Sequence, residues 1–207
     1  MSGGDNTGIW LSIGDLMSGL MLFFALLFIS VLAKLQEAQE QTLDTRTAVI
    51  TALAEALEEN DLSVEAAENG EIVFAEEMLF DAGSAALTPQ GADLLARLAP
   101  VYADVILSNP EFDAEVARVI LEGHTSSEGG ELYNLDLSLR RASSVAAGML
   151  APSVVYQASD HARRLKGKLY PAGRGPWDAS ESVVESDRRV VLRLQFQGDK
   201  FVTWMVN

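Results

Sequence analysis

The sequence predicts one transmembrane α-helix that continues into a linker helix, followed by an α+β domain in which helices pack on a small mixed sheet. Three observations carry this expectation. Residues 9–33, IWLSIGDLMSGLMLFFALLFISVLA, hold one charge in 25 positions. Neither glycine nor proline stands between Gly19 and Gly70. From Glu71 onward, short runs rich in β-branched residues alternate with stretches of helical periodicity.

The whole-chain numbers narrow the function classes. The 207 residues carry a formal net charge of −15, no cysteine and two histidines, His124 and His161. Nucleic-acid binding draws most of its affinity from basic surfaces, so this balance argues against a nucleic-acid partner. Without cysteine there is no disulfide framework, thiolate nucleophile, Cys-ligated metal or lipidation box. The mean hydropathy is nevertheless positive. A chain this acidic reaches that value by joining two unlike parts.

Residues 1–8 form a short N-terminus without Lys or Arg, and 9–33 form the apolar segment. At helical rise it extends roughly 37 Å, enough to cross a hydrocarbon core of about 30 Å with some tilt. A cleaved secretory signal is the alternative. The missing basic n-region and the length favour a retained anchor. The single charge, Asp15, costs roughly 2.5–3.5 kcal/mol at such a depth. Ser12, Asp15, Ser18 and Gly19 share one helix face, a small and polar stripe suited to close packing against other membrane helices. An ionisable side chain there marks an ion pathway, with H⁺ or Na⁺ as the translocated ion and no other cofactor. Asp15-Leu-Met-Ser-Gly-Leu-Met-Leu-Phe-Phe24 resembles the helix of MotB-type stator subunits. That resemblance implies that Asp15 is the ion-carrying carboxylate, with Ser18 beside it.

Residues 34–69 read as a linker, with nine acids against two bases. Leu43, Ile50 and Leu57 recur every seven residues, with Leu53 between the last two and Arg46 at the matching earlier place. This favours a parallel dimerisation helix. An amphipathic helix docked on its own domain, or the plug found at this place in flagellar stators, fits the same spacing.

The domain is expected over 70–207. Glu71–Glu76, Val116–Thr125, Lys168–Tyr170 and Arg189–Phe196 read as strands, the last strictly alternating. Thr88-Pro89 opens a helix with a hydroxyl cap and proline in the first turn. Leu94, Leu95, Leu98, Val101, Tyr102 and Val105 form its apolar face. A second helix over residues 132–150 has Leu135, Leu139, Ala142 and Ala146 spaced for burial. Arg163-Arg164-Leu-Lys-Gly-Lys168 reads as a solvated basic run.

Four motifs in this region resemble the OmpA-like peptidoglycan-binding domain: Phe80-Asp-Ala-Gly-Ser-Ala-Ala-Leu-Thr-Pro89, Glu122-Gly-His-Thr125, Tyr133-Asn134-x-x-Leu137-Ser138-x-Arg140-Arg141-Ala142 and Asp187-Arg188-Arg189-Val190. The resemblance implies a groove for the diaminopimelate-containing stem peptide. Arg141 grips a ligand carboxylate, Tyr133, Asn134, Leu137 and Ser138 line the groove, and Arg189 supports it. The family's Asp after GHT is Ser126 here, which removes one charge-assisted contact; Glu128 is the candidate substitute. Glu122 and His124 read as loop-forming residues rather than a catalytic pair, and no motif points to an enzyme.

Together these resemblances imply a non-enzymatic stator subunit of an ion-driven inner-membrane motor. It is single-pass, with a cytoplasmic N-terminus and a periplasmic domain. Two copies stand inside about five copies of a MotA-like multi-helix partner. The short non-basic N-terminus and compact linker resemble the ZorB-type subunits of Zorya anti-phage defence. A flagellar MotB-like stator and a passive OmpA-like wall anchor are the alternatives. The apolar end FVTWMVN reads as an added strand or a partner contact.

Overall fold

The computed structural model describes residues 5–62, 64, 66–151, 159–180 and 184–199. The expected terminal strand over 201–207 lies outside them. Helix α1 spans Asp5–Glu59. The chain divides into two compact units, Met1–Asp44 and Thr45–Asn207.

In the first unit every residue from 9 to 41 is exposed, including the large apolar side chains of Trp10, Leu22, Phe23 and Phe28. By length and composition this helix is able to cross a membrane. Ser18 Oγ donates to the Gly14 carbonyl at 2.8 Å, so its hydroxyl is satisfied one turn back.

The second unit begins well before residue 70. Val49, Leu53 and Leu57 are at most 2% exposed and belong to the domain core, with Ile50 packed against it. The dimerisation reading is therefore corrected for residues 45–59, because two of its heptad positions are consumed inside a single chain. Leu43 remains exposed. Arg46 fastens this helical segment: its guanidinium donates to Glu115 at 2.8 Å, Asp199 at 2.9 Å and the Gln197 carbonyl, and lies over the Phe196 ring.

Strand β1 (Ile72–Ala75) leads through the short helix α2 (Glu76–Leu79) to α3 (Pro89–Ser108) and α4 (Pro110–Glu115). Next come β2 (Val116–His124), α5 (Glu131–Met149), α6 (Asp160–Lys168), β3 (Leu169–Gly175) and β4 (Arg189–Phe196). The sheet order is β1-β4-β2-β3. β4 runs antiparallel to both neighbours, while β2 and β3 are parallel. Alternation gives the sheet two unlike faces. Ile72, Phe74, Val119, Leu121, Val190 and Leu192 enter the helix-covered core, whereas Val73, Glu122, His124, Arg189 and Arg193 line a cavity on the other face. Pro171 is tolerated because β3 is an edge strand.

Thr88 Oγ1 accepts from Gly91 N at 3.0 Å, so the expected cap of α3 is present. Within α3 the Tyr102 side chain is completely buried, its hydroxyl has no hydrogen-bond partner among the described residues, and burial pushes its phenol pKa well up. An unsatisfied buried hydroxyl costs about 1–3 kcal/mol. Tyr102→Phe is expected to stabilise the domain by about 1 kcal/mol, read as a higher urea midpoint with an unchanged slope.

Two expectations are corrected here. The buried face of α5 is Asn134, Leu137, Ser138, Arg141, Ala142, Val145 and Met149, while Leu139 is 46% exposed and Leu135 is half-buried. The polar members go inside because neighbouring backbone and a carboxylate satisfy them. In the basic run, Arg163 is solvated, but Arg164 pairs with Asp113 at 2.6 Å and Lys168 donates to the carbonyls of Asp113 and Val116. Those two residues staple α6 to α4 and β2.

Candidate functional site

The motif residues converge where α5 crosses β2 and β3. This approach is close: a Cβ on Gly123 would sit 2.1 Å from the Ser138 carbonyl oxygen, and one on Gly173 would sit 2.7 Å from Ser138 Oγ. Both glycines are required so that the helix backbone can rest on the sheet. Ser138 Oγ donates to the Leu135 carbonyl at 2.8 Å and accepts from Gly175 N at 3.0 Å, tying α5 to the end of β3. Asn134 Nδ2 donates to the carbonyls of Ser126 at 3.3 Å and Glu128 at 2.8 Å. Asn134 therefore shapes the loop between β2 and α5, in which Gly129 adopts φ +96°.

Arg141 is 2% exposed and fully engaged. Its Nη2 pairs with Glu76 Oε1, its Nε donates to the Ser84 carbonyl at 2.9 Å, and its guanidinium lies 5.4 Å from the Phe80 ring centre. The second Glu76 oxygen is 3.5 Å from Arg188 Nε. Beside this pair lies a cleft of about 360 Å³ lined by Glu76, Glu77, Phe80, Ala82, Glu185 and Arg188. Three carboxylates against one guanidinium make its rim acidic. The carboxylate that Arg141 holds in this structure is the internal one of Glu76.

Ser126, Asn134, Leu137 and Ser138 are also buried, so among the expected groove residues around α5 only Tyr133 is exposed. Glu128 lies in an exposed stretch and contributes its carbonyl to the loop. Arg189 is not brought to Arg141. It lines the cavity on the outer sheet face, while its neighbour Arg188 reaches Glu76. Adjacent strand residues point to opposite faces, so a period-two reading of β4 had the cue to separate them. Glu76 and Arg188, which complete the ion-pair network of Arg141, were not among the expected groove residues. Asp15 and Ser18 belong to the membrane-helix unit.

The outer-face cavity measures about 990 Å³. Glu122 and His124 stand in it on β2, within the strand expected over 116–125, and the loop-forming reading of the two is corrected. Arg174 holds Asp178 through two 2.7 Å contacts, and Arg193 holds Glu71 at 2.7 Å. Burial, then the nearby Arg189, pushes the His124 pKa down to about 4. Burial raises that of Glu122 against the pull of Arg193 and Arg174.

Residues 79–158, from the end of α2 past α5, match the OmpA family. The chain is 32% identical over 203 residues to the Zorya protein ZorB of Escherichia coli O139:H28, covering 92% of this chain and 81% of the relative. The chain belongs to the ZorB family. Its fold is shared with a MotB-like protein from Desulfovibrio vulgaris, at 18% identity and a TM-score of 0.55, covering 77% of this chain and 99% of that one. The periplasmic domain of Helicobacter pylori MotB matches at 15% identity and a TM-score of 0.45, covering 69% and 86% respectively.

In this ZorB-family chain the buried histidine gives a signed pH dependence. His124 charges in the unfolded chain near its ordinary pKa but resists protonation in the fold until about pH 4. Between those values the unfolded state binds more protons, so stability falls as pH falls, by roughly 3 kcal/mol from this group. Glu122 acts with the opposite sign, because its raised pKa adds stability on acidification. His124→Gln is expected to flatten the loss between about pH 6.5 and pH 4, measured by urea unfolding at stepped pH.

Proposed function

We propose that this chain is the peptidoglycan-anchored stator subunit of an ion-driven inner-membrane motor that serves anti-phage defence. The observation that carries the reading is the 32% identity to a Zorya ZorB over 92% of the chain, a span longer than the domain alone. The helix supplies the ion-carrying group. Asp15 is an acid in a segment long enough to span the bilayer, on the same helix face as Ser18. The N-terminus lies in the cytoplasm and the domain in the periplasm.

In this reading a proton or sodium ion entering from the periplasmic side neutralises Asp15, which then moves past the apolar wall of a multi-helix partner. Release to the cytoplasm restores the charge. Each elementary charge crossing 100 mV supplies about 2.3 kcal/mol. Movement becomes work only if the subunit is held still, and the OmpA-type domain holds it against the wall. One membrane helix cannot enclose a channel; by resemblance to MotB-type stators, the working unit is two copies of this chain inside about five copies of a MotA-like partner. No cofactor beyond the translocated ion takes part, and the subunit is not an enzyme.

The anchor is tested by sedimentation. The full chain in detergent is expected to pellet with purified sacculi and to co-elute with its multi-helix partner. A chain that stays in the supernatant and elutes alone overturns the reading.

A further inference from the structure

The outer face of the sheet carries a second site, distinct from the groove around Arg141. Its walls come from β1, β2, β3 and β4, and its volume of about 990 Å³ suits a small ligand or the end of a peptide. Two buried side chains face it with atoms that have no hydrogen-bond partner among the described residues. Glu122 is 1% exposed and its Oε1 accepts no hydrogen bond, although the carboxylate lies 3.5 Å from Arg193 Nη2 and 3.8 Å from Arg174 Nε; His124 is 5% exposed and both ring nitrogens lack a hydrogen bond. The nearest carboxylates to the ring, Glu122 at 3.9 Å and Asp178 at 3.6 Å, stand beyond hydrogen-bonding distance. Buried polar atoms are nearly always satisfied, so a pair of such residues on one wall points to a ligand that completes them.

The charges around the pair say which ligand. Arg174 pairs with Asp178 and Arg193 with Glu71, and both also approach Glu122. Arg189 donates one N–H to the Ser186 carbonyl and makes no ion pair among the described residues. It is the direct cross-strand partner of His124, which places the two side chains side by side on one face. A guanidinium without an ion pair among the described residues, next to an imidazole held neutral, is a seat for a carboxylate: Arg189 supplies charge-assisted donors and the imidazole supplies one N–H. Glu122 stands two residues along the same strand, roughly 7 Å on, as an acceptor for a ligand N–H.

We infer that this cavity binds the free carboxyl end of a peptide, with the carboxylate between Arg189 and His124 and the adjoining amide N–H on Glu122. The site goes beyond the stator reading and does not depend on it. Two sources share this chemistry: a peptide of the cell wall, which ends in a D-residue, and the C-terminus of a protein, which ends in an L-residue.

The chain has only two histidines, which makes the test direct. The full chain in detergent, labelled with ¹⁵N-histidine, is titrated with N-acetyl-D-alanyl-D-alanine, its C-terminal amide, and the L,L dipeptide. The free acid is expected to shift the His124 ring signals and to leave those of His161, outside the cavity on α6, in place. The amide is expected to shift neither, and Arg189→Gln to weaken binding of the acid at least tenfold. Preference for the D,D or the L,L form supports the inference and assigns the source. An unmoved His124, an equal response to acid and amide, or unchanged affinity in Arg189→Gln overturns it.

Discussion

An Asp15→Asn chain is expected to reach the membrane at wild-type abundance and to give no protection against phage. The substitution keeps the size and hydrogen-bonding outline of the side chain and removes its titration. It lowers the insertion cost, since an ionised Asp at this depth costs roughly 2.5–3.5 kcal/mol, so loss of function cannot be traced to failed insertion. Ser18 already satisfies its hydroxyl on the Gly14 carbonyl, so Ser18→Ala is expected to have a smaller effect. Plaque counts beside immunoblots of the membrane fraction check both variants. A passive wall anchor predicts full tolerance of Asp15→Asn.

The second large effect is at Arg141. Its guanidinium is buried with Glu76, the Ser84 carbonyl and the Phe80 ring, and so joins α5 to α2 and to the loop before α3. Removing one partner of a buried ion pair leaves an uncompensated charge and costs about 3–5 kcal/mol. Arg141→Ala is therefore expected to lower the unfolding free energy of the domain by about 3 kcal/mol or more and to abolish sedimentation with sacculi. Adding Glu76→Ala to Arg141→Ala is expected to recover part of the stability, because the buried carboxylate left with only Arg188 is gone, while wall binding stays lost. Urea unfolding of the two variants, beside their sedimentation with sacculi, separates the structural share of Arg141 from its share in binding. A stability change below about 1 kcal/mol in Arg141→Ala contradicts the buried-pair account.

Much of this architecture was legible because it is written in local sequence. The membrane segment follows from composition alone. The start of α3 follows from Thr88-Pro89, and the inner face of β4 from the alternation of Val190, Leu192, Leu194 and Phe196. What was not legible depends on which surface meets which. Leu53 and Leu57 have the spacing of a pairing helix, and the same spacing serves a helix docked on its own domain; only the fold decides between them. The face of α5 was misread because burial there falls on Asn134, Ser138 and Arg141, whose polar atoms are satisfied by the preceding loop, by Gly175, and by Ser84 and Glu76. Glu76 lies 65 residues from Arg141, and no local pattern links them. Gly123 was readable as part of a motif, but its purpose emerges only from the approach of Ser138.

The central claim is that ions cross the membrane through Asp15 in a subunit held to the wall. Co-reconstitution with the multi-helix partner in vesicles, with an imposed ion gradient and a luminal pH- or sodium-sensitive dye, tests it most directly. The wild-type pair is expected to carry a flux that the Asp15→Asn pair, matched for incorporation, lacks. Equal flux from the two pairs would contradict it.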